Sequence, residues 1–66
     1  MKHSLIRAAH SIFDIIEDHP EEARADRLHL IDELLRIGRE LTLCDDVNQS
    51  LFDSIRAAVL ELHGLS

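Results

Sequence analysis

The chain has 66 residues and a mass of 7.5 kDa, the size of one small domain spanning residues 1–66. Seven Lys and Arg residues against thirteen Asp and Glu residues give a formal net charge of -6, and 45% of the residues are hydrophobic. This composition is typical of a globular domain and not of a disordered segment. The excess of negative charge and the scarcity of aromatic residues argue against direct nucleic-acid binding, which relies on clustered cations and stacking platforms.

The cysteine count and the hydropathy exclude two further classes. The single cysteine, Cys44, rules out an intrachain disulfide and a cysteine-based zinc site. No apolar run reaches the roughly 18 residues of a membrane-spanning helix, and charged residues interrupt the start of the chain where a secretory signal would need an apolar stretch. We therefore expect a cytoplasmic protein that does not contact membranes, of a size typical of small bacterial or phage proteins.

The first predicted element is a helix at about 4–18. Proline suits the first turn of a helix and disfavours helical backbone in the preceding residue, so Pro20 predicts a break at His19. Asp18 and Glu21 have the spacing of a capping box. The joint is so short that the first helix either folds back on its own chain or splays onto a partner. The apolar residues of this helix fill one half of the helical wheel: Leu5, Ile6, Ala8, Ala9, Ile12, Phe13, Ile15 and Ile16.

The second predicted helix covers about 20–43 without interruption and has the widest apolar face of the chain. One apolar stripe contains Leu30, Leu34, Ile37, Leu41 and Cys44. A second stripe beside it contains Leu28, Ile31, Leu35 and Gly38. Together they cover an arc of roughly 200°, whereas a surface helix of a monomer needs somewhat over 100°.

The third predicted helix covers about 46–63. Asp46 followed by Gln49 predicts its N-terminal cap, and Gly64 predicts a left-handed C-terminal cap. Leu60 falls outside the apolar stripe of this helix, as Leu43 does in the second helix. The stripe itself spans roughly 140° and contains Val47, Leu51, Phe52, Ile55, Ala58, Val59 and Leu62.

The width of the apolar faces predicts a second chain. A chain of this length buries only about 60% of its unfolded surface and is marginal alone. We therefore expect an all-α fold, an antiparallel bundle of three helices completed by homodimerisation through a closed two-fold interface. The residues predicted for the dimer or partner interface are Leu30, Leu34, Ile37, Leu41, Ile12, Ile16 and Leu60.

Five histidines raise the question of a metal or pH response. His10 with Asp14, and His29 with Glu33, have the i, i+4 spacing of metal ligands, but neither pair brings a third ligand and HExxH is absent. His19, at the predicted joint, is the best candidate for a pH switch. No nucleophile motif and no glycine-rich phosphate loop is present, so we expect neither an enzyme nor a cofactor.

Three hypotheses for function follow. The first is a non-catalytic protein-interaction module of the regulator, adaptor or chaperone type, a homodimer that modulates a larger protein, with Leu43 and Leu60 as candidate contacts. The second is an acidic inhibitor that mimics nucleic-acid charge and blocks a nucleic-acid-binding protein. The third is a regulator that responds to metal or pH through its histidines. The carboxylates that suggest the second hypothesis cluster around the first joint: Asp14, Glu17, Asp18, Glu21, Glu22 and Asp26.

Overall fold

A computed structural model describes residues 2–43 and 49–65 of the chain. These residues form α-helices joined by short connections and contain no strand, which confirms the all-α prediction. The predicted count of three helices is wrong for this part of the chain, because the second predicted helix is divided in two. The helices are α1 (Lys2–Asp18), α2 (Pro20–Ala25), α3 (Arg27–Leu41) and α4 (Gln49–Gly64).

The break between α1 and α2 is where proline predicts it. His19 has φ -133° and ψ 66°, outside the helical region, and Pro20 opens α2. The capping prediction for Asp18 is wrong, since Asp18 ends α1 and the residue that precedes α2 is His19, which makes no side-chain cap. Backbone bonds connect the joint instead: the His19 N–H donates to the Ile15 carbonyl at 2.9 Å, and the Ala23 N–H donates to the His19 carbonyl at 3.0 Å.

The division between α2 and α3 is a bend at one residue. Asp26 has φ -105° and ψ 17°, and aspartate has a low helix propensity because its side chain competes for backbone hydrogen bonds. The helical bonding pattern continues on both sides: the Asp26 N–H donates to the Glu22 carbonyl at 3.0 Å, and the Leu30 N–H donates to the Asp26 carbonyl at 2.9 Å. The bend therefore turns the helix without leaving these backbone groups unpaired.

The C-terminal end of α4 differs from the prediction. The helix includes Gly64, and no glycine of the described residues has a positive φ, so the predicted left-handed cap is wrong. The Leu65 N–H instead donates to the Leu62 carbonyl at 3.1 Å. The predictions that rest on Cys44, Asp46 and Val47 lie outside the described residues.

The helices pack around an entirely apolar core. α3 contacts the other three helices, and α1 contacts both α2 and α4, so α1 folds back on its own chain. No buried side chain of the described residues is polar or charged. The buried residues are Ala9, Ile12 and Ile16 of α1, Ala23 of α2, Leu30, Ile31, Leu34, Ile37 and Leu41 of α3, and Leu51, Ile55, Ala58 and Leu62 of α4.

Candidate protein-interaction groove

An apolar groove of about 600 Å³ lies between α3 and α4 on the surface of the protein. Its polar lining residues, which include two arginines, are Arg39, Thr42, Gln49 and Arg56. Its apolar lining residues are Leu34, Leu35, Gly38, Phe52, Ile55, Val59 and Leu60. Among residues 2–43 and 49–65, no carboxylate belongs to this lining, although the chain as a whole is acidic. We call this feature the α3–α4 groove.

Gly38 gives the groove part of its depth. A Cβ added at Gly38 would meet only the Phe52 Cε1 atom, at 4.0 Å, which is an ordinary van der Waals contact. The packing of α3 on α4 therefore does not require glycine at this position. The missing side chain leaves space in the groove between α3 and α4.

Large apolar side chains remain exposed beside the groove. Leu35 is 52% exposed, Leu60 is 65% exposed, and Leu28, further along α3, is 73% exposed. The accessible surface of the chain is 4740 Å². A typical folded monomer of the same mass has roughly 4250 Å². The exposed leucines show that apolar side chains of the described residues remain uncovered outside the core.

The residues predicted for the interface divide between the core and this surface. Leu60 is exposed and lines the α3–α4 groove, as its position outside the apolar stripe predicts. The others are buried within their own chain: Leu30, Leu34, Ile37, Leu41, Ile12 and Ile16. Their side chains leave little surface for a second chain, so we place the candidate interface on the opposite side of α3.

That opposite side of α3 carries a second regular stripe, of which the apolar pattern of the sequence identified only Leu28 and Leu35. We define the core seam as the buried residues Leu30, Leu34, Ile37 and Leu41, and the outer seam as the exposed residues Leu28, Asp32, Leu35, Arg39 and Thr42. Successive residues of both seams are alternately four and three positions apart, the spacing of the contact positions in coiled coils. The two seams point roughly 150° apart around the helix. The outer seam mixes leucines with charges, and this mixture conceals it from a search for apolar residues alone.

The charged side chains near the groove differ in whether an ion pair engages them. Arg36 binds Glu33 on its own helix through two hydrogen bonds of 3.0 and 2.9 Å to the carboxylate oxygens. The hydrogen bond and the charge of Glu33 raise the pKa of Arg36 above its ordinary value. Within residues 2–43 and 49–65, Arg39 has no carboxylate at ion-pair distance. The Arg39 guanidinium is therefore available to an approaching partner.

A second, more polar groove of about 420 Å³ lies between α1 and α4. The His10 ring packs edge-on against the Phe13 ring, with their centroids 5.5 Å apart and their planes at 88°. The acidic residues that line this groove are Asp14, Glu17 and Glu61, and its described lining contains no lysine or arginine. Among the described residues, no three His, Cys, Asp or Glu side chains are placed to share a metal ion.

Comparison of the chain with protein-family models, with curated proteins and with solved structures gives no match. None of the helices in the described part of the chain has both the length and the apolar character needed to cross a membrane. The candidate site therefore stands on its geometry and chemistry alone.

Proposed function

We propose that this protein is a non-catalytic protein-interaction module that uses the α3–α4 groove to bind a helix. One observation carries this proposal: an apolar groove edged by exposed leucines remains after the chain has completed its own core. Exposed apolar surface of this kind, with polar residues at its rim, is typical of surfaces that other proteins cover. An amphipathic helix fits such a groove with apolar residues spaced at i, i+3, i+4 and i+7.

The chemistry of the groove supports binding over catalysis. The lining residues in the described part of the chain include no histidine, carboxylate, cysteine or serine, the groups that most often act as bases or nucleophiles. The Thr42 hydroxyl donates to the Arg39 carbonyl at 2.5 Å, so it is engaged with its own helix. What the groove offers is apolar area, two guanidinium groups and a side-chain amide.

In this proposal the protein is a homodimer that modulates a larger protein. Affinity capture from the native host tests it, with Leu60→Asp as the groove variant and Ala57→Asp as the matched control. Both positions are exposed on α4, but Ala57 lines the α1–α4 groove. We expect Ala57→Asp to retain the partner in high salt and Leu60→Asp to lose it, because salt screens exposed charges but not apolar contacts. Equal capture by both variants would contradict the proposal.

A second candidate function is charge mimicry toward a nucleic-acid-binding protein. The observation that favours it is the separation of charge, with carboxylates along the α1–α4 groove and Arg39 and Arg56 on the other groove. In this case the partner would be released by about 0.5 M salt, where the Debye length falls to a few ångströms. Glu61→Lys would then weaken binding and Leu60→Asp would not.

A further inference from the structure

We propose that the outer seam of this chain packs against the outer seam of a second copy of the same chain. The two α3 helices would run antiparallel about a two-fold axis at Leu35, with each Asp32 facing Arg39 of the other copy. This inference rests on the proposed function and specifies one part of it, the homodimer.

The order of residues along α3 makes the outer seam complementary to itself. A two-fold interface brings the same patch together twice, so residue i meets residue j and residue j meets residue i. When Leu35 meets Leu35, the antiparallel register places the residues before it opposite the residues after it. Leu28 then lies opposite Thr42, and Asp32 lies opposite Gly38, one residue or about 1.5 Å along the axis from Arg39, which is within reach of the long arginine side chain. On both sides of the axis, a carboxylate therefore lies near a guanidinium group, and a leucine side chain lies near a threonine side chain.

The charges of the seam do not satisfy each other within one chain. Asp32 and Arg39 are seven residues apart, about 10.5 Å along the helix. Neither has an opposite charge at ion-pair distance in the described part of the chain, and the neighbouring Arg36 is bound to Glu33. The charge of Asp32 acts on Arg36 without a direct ion pair, and an antiparallel second copy would supply a direct ion-pair partner to both Asp32 and Arg39, twice per dimer.

The surface beside the seam suits a close helix contact. Gly38 removes one side chain from the face that the second helix would approach. The leucines of one outer seam would lie along the α3 edge of the other copy's α3–α4 groove, and the α4 edge with Val59 and Leu60 stays open to the larger partner. Because the Thr42 hydroxyl donates to its own helix backbone, its methyl group is what Thr42 presents to Leu28 of the second copy.

A charge exchange on the full chain tests this arrangement. Asp32→Arg and Arg39→Asp are made singly and together, and sedimentation equilibrium gives the dissociation constant of each variant. The matched control is the exchange Arg7→Asp with Asp14→Arg, which reverses two exposed charges at the same seven-residue spacing on α1. Circular dichroism of every variant checks that it is folded.

We expect the wild type to be dimeric at about 100 µM, the concentration at which a micromolar dissociation constant gives mostly dimer. Each single reversal places like charges opposite each other twice and should weaken the dimer at least about tenfold. The double variant restores both pairs and should return to within about threefold of the wild type, a value that the α1 exchange should also keep.

Two results would overturn the inference: a monomeric wild type at that concentration, or a double variant no tighter than its single variants while the α1 exchange stays dimeric. A monomeric wild type that still loses its partner through Leu60→Asp would leave the proposed function intact and identify a helix of another protein as the occupant. Loss of the proposed function shows differently, as equal partner capture by the Leu60→Asp and Ala57→Asp variants.

Discussion

Replacing Gly38 with alanine should stabilise the folded chain and weaken its association. Glycine in a helix interior costs about 0.8–1.0 kcal/mol relative to alanine, because glycine loses more backbone freedom on folding. The added methyl group meets only the Phe52 ring, at 4.0 Å, so no clash offsets this gain. For a domain of this size the gain corresponds to a rise in melting temperature of about 4–8 °C.

The assay is urea and thermal unfolding followed by circular dichroism, in the Asp32→Arg background and at a protein concentration well below its dissociation constant, so that self-association does not contribute. Gly64→Ala is the control, since a Cβ there meets nothing within 4 Å and the helix ends at that residue. We expect its gain to be smaller, because helix ends fray. In the unmodified background, sedimentation should show that Gly38→Ala weakens the dimer, since the methyl group occupies the surface that the second helix approaches.

A loss of stability in the monomeric background would refute this reasoning. It would mean that α3 and α4 lie closer together than the structure places them, so that glycine is needed inside the chain. If the free energy of unfolding rose while the dimer dissociation constant stayed unchanged, the packing of α3 on α4 would be supported and Gly38 would not belong to the dimer interface.

Three further substitutions test the assignment of buried and exposed positions. Leu34→Ala removes a fully buried side chain and should lower the free energy of unfolding by about 2–5 kcal/mol, measured by urea unfolding. This is a large share of the roughly 3–10 kcal/mol expected for a domain of 66 residues. A loss below about 1 kcal/mol would contradict its burial. Ala23→Leu overpacks the contact of α2 with the core and should cost about 1–3 kcal/mol in the same assay. Leu60→Asp should change the unfolding free energy of the monomer by no more than about 0.5 kcal/mol, since its side chain is exposed; a larger loss would place Leu60 in the core.

The sequence predicted the parts of the fold that depend on period and on proline. The spacing of Leu30, Leu34, Ile37 and Leu41 identified an apolar stripe, which was assigned to an interface with a second chain and is buried within its own chain. Pro20 identified the end of α1. The bend at Asp26 was missed because one residue with non-helical dihedrals does not change the apolar period around it. The cap at Gly64 was misread because glycine permits a positive φ without requiring one.

The candidate site was harder to predict, for a geometric reason. The apolar arc of α3 is wider than one contact needs, and the sequence alone does not say which part of the arc the other helices of the same chain cover. The core seam is wholly apolar, whereas charged Asp32 and Arg39 interrupt the outer seam, and this difference was the available signal. The α3–α4 groove also depends on how α4 is placed beside Gly38, which no local pattern specifies.

The opposed seams of α3 separate folding from recognition within a single helix. In the proposed dimer, substitutions at Asp32, Leu35 or Arg39 would change what the outside of the helix selects, while the buried side chains that hold the domain together stay in place. Such a helix is suited to the design of selective homodimers. Variants with a different order of acidic and basic residues along the outer seam would associate with copies of themselves and not with the wild-type chain.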